Sequence, residues 1–170
     1  MFAYVMTRGA RGEIDRLLAE VAARLQAEGW QLAGAVQHNS GEICAGGPCD
    51  MELRLLDGGG TIRISQSLGA LSEGCRLDPA GLEAAAGHVA VSLQRSETMP
   101  RLMIVNKFGR QEAEGRGFRP VIAEALGAGI AVLTGVGHDQ EAEFAAFAGG
   151  LATALAPDIE AILGWCRAPG

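Results

Sequence analysis

Short apolar runs alternate with amphipathic helical segments along most of this 170-residue chain. Apolar runs with the length of buried strands occur at 3–6, 30–37, 102–106 and 129–134. Between the first two runs, apolar residues recur at helical spacing from Ile14 to Leu25. Because strands separated by helices usually pair in parallel, this order predicts an α/β fold, a three-layer and mostly parallel sheet with helices on both faces.

One segment departs from this alternation. Residues 50–66, DMELRLLDGGGTIRISQ, alternate apolar and polar side chains on both sides of a glycine-rich turn. This pattern is typical of a β-hairpin. We therefore expect a single domain over residues 1–170 with a hairpin inserted at about 50–66. The remaining helices are predicted over 79–95, 116–126, 139–149 and 145–156, with a last one beginning at Pro157.

The charge of the chain excludes several classes of partner. Its formal net charge is −6, so general attraction to nucleic acid or to an anionic membrane is not expected. The start, MFAYVMTRG, lacks the basic and apolar regions of a signal peptide, and no apolar stretch approaches a membrane span. We therefore expect a cytoplasmic protein with mostly reduced cysteines. The Ala-rich helices are expected to be core or a homodimer surface.

The first strand is followed by a glycine loop and then a helix, which is the context of a phosphate-binding P-loop. A P-loop needs G-x-x-x-x-G-K-[ST], in which the lysine neutralises phosphate charge. Here Gly9 and Gly12 are present, but Glu13, Ile14 and Asp15 stand where the lysine should open the helix. An acidic first turn suits a helix N-terminus and repels a bound phosphate. The alternative is that the glycines only turn the chain and the neighbouring arginines are solvated.

A second candidate site follows the strand 102–106. The segment LMIVNKFGRQEAEGRGFRP carries four of the fourteen Lys and Arg residues, namely Lys107, Arg110, Arg116 and Arg119. Ligands of open α/β sheets bind where strands end and loops begin. A basic loop at that position predicts an anion site.

These stretches resemble a bacterial family of unknown function that is described loosely as nucleoside-triphosphatase-like and is often found near molybdate-transport genes. The resemblance covers nearly the whole chain. It is carried by the stretches Cys49-Asp50-Met51, Ile64-Ser65-Gln66, Gly74-Cys75-Arg76-Leu77-Asp78, Asn106-Lys107-Phe108-Gly109, Gln111 to Gly117 and Ala148-Gly149-Gly150. The order of elements is also similar to the thermophilic-type P-loop nucleoside-triphosphatases, so the resemblance implies a degenerate P-loop-like fold.

The departures from those hydrolases bear on function. Where they carry the strand-end Asp for magnesium and a Glu that polarises water, this chain has Asn106 and Lys107. With the P-loop lysine also missing, ordinary Mg²⁺-dependent hydrolysis is not expected, and whether the chain is an enzyme stays open.

We predict a charge swap in which Lys107 supplies the missing cation. Neighbouring parallel strands would bring the two loops to one edge of the sheet. The ligand would be phosphate, a nucleotide or a molybdate-type oxyanion. The resemblance implies a role in molybdenum supply, and the sequence identifies no cofactor. The predicted ligand-binding residues are Arg8, Gly9, Arg11, Gly12, Gln37, Ser65, Gln66, Arg76, Asn106, Lys107, Gly109, Arg110 and Arg116.

Other interpretations of the function and of several residues remain open. The chain is alternatively a divergent nucleoside-triphosphate hydrolase or transferase, or a protein-interaction module with a vestigial site. His38, Cys44, Cys49 and Cys75 have looser spacing than a zinc ribbon, so they are either metal ligands or loop residues, and we predict no metal. Glu112 either joins a surface ion-pair network or holds Arg110 or Arg116 in place. His88 has no partner evident in the sequence.

Overall fold

A seven-stranded sheet with the strand order β4-β3-β2-β5-β6-β1-β7 forms the centre of the fold. The computed structural model describes residues 1–7, 12–40, 50–66, 77–95 and 98–168. The strands are β1 (Phe2–Val5), β2 (Leu32–Ser40), β3 (Asp50–Leu55), β4 (Thr61–Arg63), β5 (Leu102–Phe108), β6 (Ala131–Val136) and β7 (Thr153–Leu155). β1, β2, β5, β6 and β7 run parallel, and the hairpin β3–β4 adds antiparallel strands at one edge.

Helices cover both faces of this sheet. They are α1 (Glu13–Ala27), α2 (Pro79–Arg95), α3 (Arg110–Ala113), α4 (Arg119–Gly127), α5 (Glu141–Ala148) and α6 (Ile159–Arg167), with a 3-10 turn at His138–Gln140. One core cluster joins α1 and α6 to one face of the sheet, and the other joins α2, α4 and α5 to the opposite face. The fold is therefore α/β with three layers and a mostly parallel sheet, which confirms the fold class predicted from the sequence.

The inserted hairpin forms at the predicted place. Asp57 in its turn accepts hydrogen bonds from the Gly59 N–H and pairs with His88 Nε2 of α2 at 2.9 Å. His88 therefore has a partner that the sequence did not reveal. Burial opposes ionisation of Asp57, but hydrogen bonds from Ser92, Gly59 and His88 hold its pKa below the ordinary value.

One prediction about strand order and one about a helix are wrong. β1 and β5 are not neighbours, because β6 lies between them and pairs with both. Residues 145–156 are not one helix, since α5 ends at Gly149 and Gly150, which have φ of 56° and 81°. Glycine reaches this left-handed region without steric cost, so the chain turns there and continues as the edge strand β7 beside β1.

Several element ends also differ from the prediction. β5 continues to Phe108, two residues beyond the expected end, so Lys107 is part of the strand and not of the loop. The helix expected over 116–126 begins at Arg119, and the short helix α3 precedes it. No helix in the described part of the chain is long and apolar enough to cross a membrane.

Candidate functional site

The first turn of α1, the element that follows β1 in the chain, lies at the carboxyl edge of the sheet. Gly12 caps this helix with φ of 82°, a conformation that favours glycine. Glu13 and Asp15 follow in the first turn. Acidic side chains suit a helix N-terminus because the helix dipole is positive there. Asp15 is only 5% exposed, so its carboxylate is held against the protein and not in solvent.

The end of β5 brings Asn106 and Lys107 to the same edge. Leu102 and Ile104 belong to the core cluster that includes α1, so alternation along the strand places Asn106 on that face too. Asn106 is 3% exposed. The peptide bond between Asn106 and Lys107 is cis.

Lys107 crosses above β6 to reach α1. Its Nζ lies 3.6 Å from Asp15 Oδ1, although β6 separates β1 from β5. The crossing is possible because Gly135 of β6 has no side chain. A Cβ at Gly135 would collide with Ile14 of α1 and would lie 3.4 Å from the Lys107 Cβ. The end of β5 and the first turn of α1 therefore meet through Lys107 and Asp15.

Four buried side-chain atoms have no hydrogen-bond partner among the described residues. They are Glu13 Oε2, Asp15 Oδ1 and both amide atoms of Asn106, Nδ2 and Oδ1. A buried polar group left unpaired costs about 1–3 kcal/mol, so such groups are rare in stable folds. All four belong to the first turn of α1 and the end of β5. This concentration marks the carboxyl edge as the candidate functional site.

The loop after β5 is shaped by a buried carboxylate. Glu112 is 2% exposed and accepts the Gly109 N–H on Oε2 and the Phe118 N–H on Oε1, both at 3.0 Å. Burial raises the pKa of Glu112 above its ordinary value, while these hydrogen bonds act in the opposite direction. Glu112 therefore holds the backbone of the loop. At 2% exposure Glu112 is not part of a surface ion-pair network, which was one of the two sequence hypotheses.

The arginines of the basic segment have partners of their own. Arg110 pairs with Glu114 at 2.9 Å, and Arg116 pairs with Glu114 and donates to Gln111. Arg119 lies over the ring of Phe147 and donates to backbone carbonyls of α3. Because the arginines have these partners, the four positively charged side chains of the segment do not all point to one ligand. Lys107 is the member of the run that faces α1.

The other predicted site residues lie at varying distances from this point. Gln37 of β2 is half-buried and lies two residues beyond Ala35, which pairs with Val105 of β5. Ser65 and Gln66 follow β4, three strand spacings from β5, or roughly 14 Å away. Ser65 accepts a hydrogen bond from Arg63, and Gln66 donates to the Leu77 carbonyl. Arg8, Gly9, Arg11 and Arg76 lie outside the described residues.

The cysteines do not form a second candidate site among the described residues. Cys44, Cys49 and Cys75 lie outside the described residues, and within the described ranges no three His, Cys, Asp or Glu side chains are grouped to hold a metal ion. Cys166 is buried between α6 and the sheet, and burial raises the pKa of its thiol to about 12, so it is not a ready nucleophile.

A cleft of about 420 Å³ lies at the opposite edge of the sheet, between the hairpin turn and α2. Its polar side chains are bonded to one another, since Asp57 pairs with His88 and Thr98 donates to Gln31. The cleft therefore has no unpaired buried group comparable to those at the carboxyl edge.

Sequence reasoning found Asn106 and Lys107 but missed the contact that joins them to α1. Asp15 was read only as a helix-end charge, and Gly135 lay beyond the predicted end of its strand at Thr134. A glycine inside the apolar run AVLTGV was a usable signal, because glycine within a strand often marks close approach of another element.

Comparison with known proteins places the chain in a family. A family model described as "Protein of unknown function (DUF2478)" matches residues 2–165. The chain belongs to the DUF2478 family. It is also 37% identical over 157 residues to a protein of Bradyrhizobium diazoefficiens named "Molybdenum import ATP-binding protein ModC 2".

That match covers 91% of this chain but only 17% of the relative, so the chain spans about a sixth of its length. No solved structure gives a significant match. The similarity to an ATP-binding protein and the observed sheet are consistent with a P-loop-NTPase-like fold.

Proposed function

We propose that this chain binds a small oxyanion between the first turn of α1 and the end of β5, and that it does not hydrolyse its ligand. The ligand class comprises phosphate, the phosphate groups of a nucleotide and molybdate-type oxyanions. The observation that carries the proposal is the approach of Lys107 to Asp15 at the N-terminus of α1. Buried atoms of Asn106, Glu13 and Asp15 that lack a hydrogen-bond partner among the described residues lie in the same helix turn and strand end. A bound oxyanion would accept from Asn106 Nδ2 and from the Lys107 ammonium.

Two sources of positive potential act at this point. The first N–H groups of α1 have no partner within the helix, and the dipole of a fifteen-residue helix adds partial positive charge there. Lys107 is the second source. Its Nζ is 3.6 Å from Asp15 Oδ1, beyond hydrogen-bond distance, and its side chain is 39% exposed. The ammonium can therefore turn toward a ligand without leaving a short, buried ion pair.

The absence of hydrolysis follows from the identity of two residues. Phosphoryl transfer in P-loop enzymes depends on Mg²⁺ held by an acidic side chain and on a group that orients the attacking water. Asn106 and Lys107 occupy the strand end where the hydrolases that this chain resembles carry acids. An ammonium there repels a divalent cation, and an amide is a weaker ligand than a carboxylate for Mg²⁺. The site is therefore suited to holding an anion and not to cleaving one.

The process in which the chain acts is inferred from its relative. A 37% identical segment forms part of a protein named for ATP binding in molybdenum import. We propose that this chain acts in the same process. The anion site itself is the directly testable part of this proposal.

Thermal unfolding in the presence of phosphate, ATP, GTP, molybdate and tungstate, with and without Mg²⁺, tests the site. A ligand at one hundred times its Kd stabilises the native state by about 2.7 kcal/mol. We expect at least one oxyanion to raise Tm without Mg²⁺, and Lys107→Ala to abolish the increase. Arg167→Ala is the matched control, because it removes one positive charge from a side chain of α6 that pairs with Glu28, at the opposite end of α1 from the site. It should retain the increase.

Three results would contradict the proposal. One is the absence of any stabilisation across the panel, which would favour an interaction module. Another is unchanged binding by Lys107→Ala. The third is Mg²⁺-dependent release of phosphate from a nucleoside triphosphate, which would identify the chain as a hydrolase.

A further inference from the structure

A buried carboxylate beside Lys107 restricts which oxyanion the proposed site can hold. Asp15 Oδ1 and Glu13 Oε2 are shielded from solvent and lack a hydrogen-bond partner among the described residues. An ionised carboxylate is an acceptor only. A fully ionised oxyanion also presents only acceptors, so the two would face each other with like charges and no proton between them. Burial makes this arrangement costly.

We infer that the site selects oxyanions that carry a hydroxyl group, namely inorganic phosphate and singly protonated phosphate monoesters, and rejects fully ionised ones such as sulfate and molybdate. The inference rests on the proposed oxyanion site and specifies its ligand. In this arrangement the P–OH group donates to the Asp15 carboxylate, while the charged oxygens accept from Lys107 and from Asn106 Nδ2. The hydroxyl hydrogen is then matched to the carboxylate beside Lys107, and the charged oxygens are matched to donors.

The charges of the described residues favour the same ligand. The first turn of α1 contributes Glu13 and Asp15, β5 contributes Lys107, and β6 contributes Gly135, which has no ionisable group. The carboxylate of Asp15 therefore faces Lys107, and Glu13 adds a second negative charge to the same helix turn. Repulsion of this kind against the wrong ligand is a common source of specificity, because the discrimination equals the difference between two binding free energies. A hydroxyl donor converts the repulsive contact into a charge-assisted hydrogen bond.

The protons of the candidate ligands separate them in solution. Inorganic phosphate keeps at least one proton at about pH 8, whereas a phosphate monoester loses its last proton with a pKa of about 6. Sulfate and molybdate carry no proton at neutral pH. The inference therefore predicts that inorganic phosphate binds at about pH 8 while AMP, sulfate and molybdate do not. At about pH 5.5 AMP should bind as well, and sulfate should still fail.

Calorimetric titration of the intact chain with each of these four ligands measures the affinities. Lys107 is the chain's only lysine, so reductive methylation with ¹³C-formaldehyde labels this side chain and the N-terminal amine. The methylated ammonium keeps its charge, and its NMR signal reports whether the ligand reaches Lys107. We expect phosphate to bind at least about tenfold more tightly than sulfate, in line with the cost of an unpaired buried polar group.

Asp15→Asn and Glu13→Gln test the origin of the selectivity. Asp15→Asn replaces the acceptor-only oxygen beside Lys107 by an amide that can also donate, so it should bring the affinity for sulfate close to that for phosphate. Glu13→Gln removes the second acceptor-only oxygen and should weaken the preference by a smaller amount. Asp139→Asn is the control, because it removes the same charge from a side chain that is 91% exposed after β6. It should leave the preference unchanged.

The outcomes separate this inference from the proposed function. If sulfate or molybdate binds the wild-type chain as tightly as phosphate, the selectivity is refuted while the oxyanion site stands. The same conclusion follows if both carboxylate variants keep the wild-type preference. If no oxyanion binds or shifts the Lys107 signal, both the site and its selectivity are refuted. The wild-type comparison alone decides the matter if a variant fails to fold.

Discussion

At the scale of single residues, buried carboxylates organise the carboxyl edge of the sheet. Asp15 is approached by Lys107 from a strand two positions away, and Glu112 accepts two backbone N–H groups of the loop after β5. Asp15 therefore lies beside Lys107, and Glu112 holds the backbone of the loop that follows Lys107. A buried carboxylate that holds backbone donors is replaced only at a cost, because its removal leaves the donors unpaired.

Glu112 gives a prediction with a definite pH dependence. Glu112→Gln points an amide N–H₂ at one of the two backbone donors, so we expect a loss of about 1–3 kcal/mol in the free energy of unfolding. Because burial raises the pKa of Glu112, the native state holds its proton to higher pH than the unfolded chain does. The stability that Glu112 contributes is therefore greatest below its ordinary pKa of 4.5 and declines as pH rises through the raised value.

Urea unfolding of wild type and Glu112→Gln across the acid range measures this difference. Glu114→Gln is the control of opposite sign, because hydrogen bonding to Arg110 lowers the pKa of Glu114. The contribution of Glu114 is present above 4.5 and lost as pH falls through its lowered value, and it is small because the pair is exposed. A wild-type-minus-Glu112→Gln difference that rises with pH would contradict the assignment.

At the scale of elements, glycines decide how closely helices and strands approach. Gly135 lets the first turn of α1 lie on β6, and Gly34, with φ of 96°, lies against the backbone of Ile104 in β5. Gly87 is different, since it is exposed within α2 and a Cβ there would meet nothing within 4 Å. The same substitution should therefore have opposite effects at two of these positions.

Gly135→Ala should destabilise the chain by about 1–3 kcal/mol, because the added methyl group overpacks the contact with Ile14. It should also displace α1 from Lys107 and so weaken oxyanion binding. Gly87→Ala is the matched control and should stabilise by about 0.5–1 kcal/mol, because alanine has the higher helix propensity. Chemical denaturation measures both changes. Equal stability of Gly135→Ala and wild type would show that α1 does not depend on this close approach.

The elements that the sequence predicted well are those with strong local patterns. The hairpin, α1 and α2 follow from alternation, helical periodicity and the proline at 79. β7 was missed because Thr153–Leu155 is a short, largely exposed edge strand whose pairing with β1 leaves no periodic signal. The contact between Lys107 and Asp15 was missed in part for a related reason. It depends on β6 lying between β1 and β5, and no local sequence pattern specifies the order of strands in the sheet.

At the scale of the whole molecule, the two edges of the sheet have different chemistry. The carboxyl edge holds buried atoms of Glu13, Asp15 and Asn106 that lack a hydrogen-bond partner among the described residues. The opposite edge holds groups that satisfy one another, including Asp57 with His88 and the guanidinium of Arg101, 3.7 Å above the ring of Trp30. The central strands β5 and β6 are almost completely buried between the helical layers, so the sheet separates these two edges by a rigid core.

Hydrogen–deuterium exchange of the whole chain tests this division. The central strands β5 and β6 should exchange most slowly, because their amides open only with global unfolding, and the edge strands β4 and β7 should exchange faster. Saturating inorganic phosphate should slow exchange in the first turn of α1 and over residues 106–109, because binding there opposes local opening. Peptides around Asp57 and His88 should be unaffected beyond any general stabilisation. Protection centred on those peptides would instead locate the ligand in the 420 Å³ cleft at the opposite edge and would refute the proposed site.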